Sequence, residues 1–149
     1  MPYDFEPKTL GEHVRRRRLK MGLTQKEVAT QLEVVSWTIL NWEKAHTEPS
    51  IASIPVIVRF LGYDPFPQPE TLPQRLLAKR REMGWSVREA AKAIGVDPCT
   101  WGNWERGQTV LYRQHQAHIA RFLDLPADAL DQEVTSNSNR QENQYAEYP

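Results

Sequence analysis

Residues able to do covalent or metal chemistry are few in this chain and poorly spaced for it. Cys99 is the only cysteine. Near the start of a helix it reads as a redox sensor or, the favoured reading, as an ordinary small packed side chain. His115-x-x-His118 offers two imidazoles but no cysteine or third ligand at zinc-site spacing. Gly-x-Ser-x-Gly, His-Glu-x-x-His and phosphate-loop patterns are missing from the sequence. The expectation is a protein that is not an enzyme and takes no metal and no cofactor. What the chain does carry, twice, is Asn-Trp-Glu, at Asn41-Trp42-Glu43 and again at Asn103-Trp104-Glu105. A side-chain amide presents a donor and an acceptor side by side, which suits recognition by hydrogen bonding.

The two occurrences belong to an internal repeat. A shift of 62 positions lays Thr9 through Tyr63 on Thr71 through Leu125 without a gap. Met21-Gly22 then falls on Met83-Gly84, and Arg59-Phe60-Leu61 on Arg121-Phe122-Leu123. Two copies of one small domain is the simplest account. Thr9-x-x-Glu12, Thr24-x-x-Glu27, Thr71-x-x-Gln74 and Ser86-x-x-Glu89 read as capping boxes, so helices are predicted to begin near residues 10, 25, 72 and 87. Gly22 and Gly84 suit the left-handed position that ends a first helix. A short second helix, with apolar faces Val28-Ala29-Leu32 and Ala90-Ala91-Ile94, gives way to a tight turn and a third helix. In the second copy Asp97 is placed to cap that helix and Pro98 to open it. The third helix buries Ile39 and Trp42, or Trp101 and Trp104, three residues apart. Ile51, Ile54, Ile57, Phe60 and Leu61 supply one or two further short helices, with Pro55 placed to start the last. No segment alternates like a strand, so the fold class is all-α: two tandem helical domains of four to five short helices each.

Of the 149 residues, 40% are apolar and 26% charged, which is ordinary for a folded domain. The net charge of zero hides a division. Residues 1–63 and 64–125 each hold nine Lys or Arg against seven Asp or Glu, while residues 126–149 hold Arg140 against five acids. The end of the chain is polar and without apolar periodicity, and is expected to be a disordered acidic tail over 131–149. A lone cysteine and an N-terminal region that carries Arg15 to Arg18 argue against an oxidising compartment, so the expected location is cytoplasmic. The longest apolar run, about Ile51 to Leu61, is well short of the roughly 20 residues of a membrane helix. Expected boundaries are 1–63 for the first domain, 64–70 for a linker and 71–130 for the second domain. Pro65, Pro67 and Pro69 make that linker extended and stiff in expectation.

Gly22-Leu23-Thr24-Gln25-Lys26-Glu27-Val28-Ala29, followed by Leu32-Glu33-Val34 and Thr38-Ile39-Leu40-Asn41-Trp42-Glu43, resembles the helix-turn-helix of the Cro and lambda-repressor-like, or xenobiotic-response-element, family. The resemblance covers residues 9–63 and, more weakly, 71–125. It implies a sequence-specific double-stranded DNA-binding transcriptional regulator, a repressor, that reads the major groove with the third helix of each repeat. Ala29 and Ala91 would permit the close crossing of helices this needs. Base contacts would fall to Ser36, Trp37, Leu40 and Asn41 in the first copy, and to Thr100 and Asn103 in the second. Phosphate contacts would fall to Gln25 at the start of the second helix, to Lys26, Thr38, Lys44, Arg15 and Arg16, and to Arg88 and Arg106. Arg17 shares the same basic run, which reads alternatively as a solvated helix face. Arg18 with Glu43, and Arg80 with Glu105, resemble the family's structural ion pairs. Trp37 has two readings, base contact or burial against a neighbour.

The second copy departs from the pattern. Val87 stands at the place of Gln25, Pro98 at that of Ser36, Cys99 at that of Trp37, and Gly102 at that of Leu40. The expectation is DNA contact mainly through phosphates, with a packing or dimerisation module as the alternative. That alternative supports a second function class, a protein-interaction module such as an adaptor or antitoxin-like partner. The partner set is therefore double-stranded DNA and no membrane, with a homodimer or protein partner through the second repeat.

Overall fold

The computed structural model describes residues 2–108 and 113–125; the expected tail and the end of the expected second domain lie outside them. The described residues form eight α-helices and no strand, so the all-α expectation holds. They gather into two compact units, one built on the first four helices and one holding most of the fifth with the last three.

In the first unit α1 (Leu10–Met21), α2 (Gln25–Gln31), α3 (Ser36–Glu43) and α4 (Ile54–Leu61) follow in order, with a 3-10 turn at Ile51–Ser53. Local chemistry sets the ends. Thr9 accepts from the Glu12 amide, while the Glu12 carboxylate reaches one residue further back than a capping box requires and accepts from the Lys8 amide at 2.6 Å. At α2 the box is complete between Thr24 and Glu27. Gly22 closes α1 in the left-handed conformation, φ +67°. Pro55 lies in the first turn of α4, where its missing N–H costs nothing.

Helix α3 packs on α1 and α2, and α4 packs on α1. The core between them is aliphatic: Val14, Val28, Leu32, Ile39, Ile57 and Leu61 with Trp42 at its edge. Burial of so much apolar surface is what holds helices of seven and eight residues, too short to persist alone. Gly11 lets α1 and α3 approach: a Cβ built there would lie 1.9 Å from the Trp42 carbonyl oxygen.

The second unit uses α5 (Leu72–Met83), α6 (Val87–Ile94), α7 (Pro98–Glu105) and α8 (Arg113–Phe122). Thr71 accepts from the Gln74 amide, and Ser86 and Glu89 form a complete box. Here the core is aromatic. Trp101 is fully buried and meets the edge of Phe122 at 5.3 Å between ring centroids, and Trp85 stacks on the same ring at 6.0 Å. Leu76, Ala90, Ala91, Trp104 and Ile119 complete it. Between residues 63 and 71 there is neither helix nor strand. The expected extended, stiff connector opens on a local turn in which the Asp64 carboxylate accepts from the Phe66 amide at 2.8 Å.

Candidate nucleic-acid interface

The turn between α2 and α3 is fixed by the backbone. Val34 N–H donates to the Ala29 carbonyl at 2.9 Å, and Glu33 takes a left-handed φ of +58° to let the chain reverse. Ala29, almost fully buried, removes the side chain that would hold α3 away from α2. Ile39, Trp42 and Glu43 therefore face inward, and the opposite side of α3 is turned to solvent.

Ser36 and Trp37 are exposed on that side, and Thr38, Leu40 and Asn41 are half-buried. Trp37 is 68% exposed, so of its two readings burial against a neighbour does not occur. No side-chain hydrogen bond caps α3 at Val35; of its first three amides that of Thr38 donates to the Val35 carbonyl at 3.0 Å, and those of the exposed Ser36 and Trp37 have no side-chain acceptor. An uncapped helix start carries a partial positive charge and suits an anion.

Of the expected phosphate ligands, Lys26, Lys44 and Arg15 are exposed. Arg15 extends past Phe5, whose ring centre is 5.5 Å from the guanidinium carbon, and its Nε lies 4.0 Å from Glu43. Arg16 is turned elsewhere, its Nη2 donating to the Tyr63 hydroxyl at 3.2 Å, and Arg17 donates to the Phe60 carbonyl. Gln25 sits at the first position of α2, but its amide points inward and donates to Glu43 at 3.5 Å.

Glu43 is the hub beneath this surface. Its carboxylate accepts from Arg18 Nη2 at 2.7 Å and from Arg18 Nε at 3.0 Å, while Arg18 Nη1 donates to the Leu23 carbonyl at 3.1 Å. The Glu43 side chain is 4% exposed. A fork with two parallel N–H bonds compensates the carboxylate for lost water and ties α1 to the end of α3.

In the second unit Arg80 forks onto Glu105, Nε donating at 2.6 Å and Nη2 at 2.9 Å, with Nη1 on the Trp85 carbonyl. Val87 has no side-chain amide to give, and the third donor comes instead from the Trp101 indole N–H, onto Glu105. The paired substitutions Gln25 to Val87 and Ile39 to Trp101 thus exchange one donor for another, a compensation missed when each position is read singly.

The outer side of α7 differs. Asp97 caps the helix by accepting from the Cys99 amide at 2.8 Å, and Pro98 has no N–H. The start of α7 therefore carries a negative side-chain cap where that of α3 carries none. Thr100 and Asn103 are half-buried, Arg88 and Arg106 exposed. The Asn103 side chain is occupied, its oxygen accepting from Arg106 Nη2 at 2.7 Å. Sequence reading gave Arg106 only as a phosphate ligand; the missed signal was Gly102, one turn before it, with no side chain to keep a long neighbour off the helix.

Among the described residues no cluster of His, Cys, Asp and Glu could hold a metal, and no helix is long and apolar enough to cross a membrane. Residues 14–67, 54 of the 149, match the family model described as Helix-turn-helix, of the xenobiotic-response-element type. The matched segment spans α2, α3 and α4 with most of α1, and indicates a DNA-binding helix-turn-helix regulator. No curated protein and no solved structure matches the chain.

Proposed function

We propose that this protein is a sequence-specific binder of double-stranded DNA, a transcriptional repressor built from two tandem copies of one helix-turn-helix domain, α3 and α7 each entering a major groove. The observation that carries the proposal is the solvent-facing side of α3, where Ser36 and Trp37 are exposed at a helix start that no side chain caps, with half-buried Asn41 further along the helix. Asn41 makes no side-chain hydrogen bond to any described residue, so its amide keeps a donor and an acceptor for an adenine, and the exposed Trp37 could meet a thymine methyl. Exposed Lys26, Lys44 and Arg15 supply positive charge for phosphates. Repression is the simplest consequence of such binding, since occupancy alone occludes a promoter.

The two-copy reading is supported by the matching element order at a spacing of 62 residues and by the two equivalent forks, Arg18 on Glu43 and Arg80 on Glu105. Gel shift of the full chain on random duplexes, with sequencing of the bound fraction, tests the proposal. Enrichment of a defined sequence supports it, and absence of any shifted duplex at low salt refutes it. One observation favours a protein-binding role for the second unit: Asp97 places negative charge at the start of α7, where a phosphate would be repelled. In that case the molar mass by light scattering should exceed that of one chain, and substitutions on α7 should leave the enriched sequence unchanged.

A further inference from the structure

We infer that Arg106 is the base-reading group of α7, a guanidinium fork selective for guanine, with Asn103 as the residue that positions it; the inference rests on the DNA-binding reading above. Arg106 is the C-cap of α7, at the end of the helix remote from Asp97. Its side chain, though exposed, folds back one turn along the helix. A Cβ built on Gly102 would lie 3.1 Å from Arg106 Nη1 and 3.5 Å from Nη2, and Gly102 is buried beneath the guanidinium. The fork is then held at two points. Nη2 donates to Asn103 Oδ1 at 2.7 Å, and Nε donates to Gln108 Oε1 at 3.3 Å. Nη1 has no hydrogen-bond partner among the described residues, and one of its N–H groups together with the second N–H of Nη2 makes the parallel pair that an incoming acceptor pair would meet.

Three physical points favour guanine over phosphate as the occupant. A planar fork offers two parallel N–H donors, which match the O6 and N7 acceptors of guanine in the major groove. Arginine otherwise loses much rotamer freedom on binding, and a fork already splinted by two side chains has met part of that cost. A phosphate contact needs no such splint, and the first unit shows the alternative: Lys44, exposed, with Leu40 filling the place of Gly102. The Gly102 gap is what lets a residue at the helix end reach the middle of the exposed face, away from the negative Asp97 cap at the start of α7.

The test uses the full chain and a random duplex pool, selected and sequenced with the wild type, Arg106→Lys, Asn103→Ala and Gly102→Leu, each checked for an unchanged melting curve. The wild type should enrich a guanine that Arg106→Lys loses, a drop of about 10-fold to 100-fold in preference at that position. Because lysine keeps the charge, affinity for the unselected pool and its salt dependence should stay as in the wild type. Asn103→Ala and Gly102→Leu, which release or displace the fork, should weaken the same preference. Replacing that guanine by 7-deazaguanine, which lacks the N7 acceptor, should lower wild-type affinity and leave that of Arg106→Lys unaltered. A preference profile for Arg106→Lys identical to that of the wild type would overturn the inference while leaving wild-type DNA binding intact. A wild type that shifts no duplex would overturn the underlying reading itself.

Discussion

Glu33 and Gly95 stand 62 residues apart, each just after the second helix of its unit, and both hold a left-handed backbone, φ +58° and +85°. Every described residue with positive φ belongs to such a pair: Gly22 with Gly84, Ala45 with Gly107, and Gly62 with Asp124 are the others. Four equivalent reversals in the two halves of one chain are what two copies of one domain would produce.

Only one member of the Glu33 pair is a glycine, and a side chain in the left-handed region costs about 1–2 kcal/mol. Part of any gain from glycine is lost to the greater freedom of the unfolded chain. Glu33→Gly is expected to stabilise the first unit by about 0.5–1 kcal/mol, and Gly95→Ala to destabilise the second by a similar amount. Urea titrations of both variants check the opposite signs.

Helix propensity and packing disagree at Gly11. In an exposed helix Gly→Ala stabilises by about 1 kcal/mol. Here the new methyl would meet the Trp42 carbonyl at 1.9 Å, and backbone on both sides must move. Gly11→Ala is expected to destabilise by about 1–3 kcal/mol, as overpacking does. A thermal melt that rises would show α1 and α3 to be further apart than described.

The fork of Arg18 on Glu43 predicts a larger loss. Glu43→Ala leaves the Arg18 guanidinium, 14% exposed, without its carboxylate, and about 3 kcal/mol of stability should go with it. Glu105→Ala strands both Arg80 and the Trp101 indole N–H and should cost at least as much. Chemical denaturation of the two single variants and the double measures each unit's share.

His13 gives the stability a pH dependence. Its ring nitrogen and the Tyr63 hydroxyl share a hydrogen bond of 2.7 Å. Its pKa is held below the ordinary histidine value, by burial first and by the Arg16 charge second, against weaker raising effects of Glu6 and Glu12. The unfolded chain thus binds this proton more readily, so the contribution of His13 is fully present above the ordinary value of about 6.5 and is lost as pH falls through the lower folded pKa. Melting temperature should drop from pH 7.5 to pH 5, and His13→Gln should flatten the curve over that window.

Much of this was legible in the sequence because the decisive signals are local. Thr24 with Glu27, Ser86 with Glu89, and Asp97 with Pro98 mark helix starts through contacts within one turn, and the spacing of Ile39 and Trp42 gives the buried side of α3. What was not legible depends on groups far apart in sequence or on freedom a short pattern leaves open. Arg16 has several rotamers on a helix face, and only the position of Tyr63, two residues past α4, settles which one it takes. Gln25 turned inward because Glu43, 18 residues later, offered a buried acceptor. The Trp101 indole as a replacement for that amide needed the packed aromatic core of the second unit to be visible.

Binding itself is tested most directly by the affinity of the full chain for a duplex selected from a random pool, measured by fluorescence anisotropy across a salt series. With on the order of six phosphates neutralised by exposed basic side chains such as Lys26, Lys44, Arg15 and Arg88, log affinity should fall linearly with log salt, with a slope of about −5. That amounts to a loss of about a thousandfold between about 50 and 200 mM. An affinity that does not change with salt, or no binding at the lowest salt, would contradict the account.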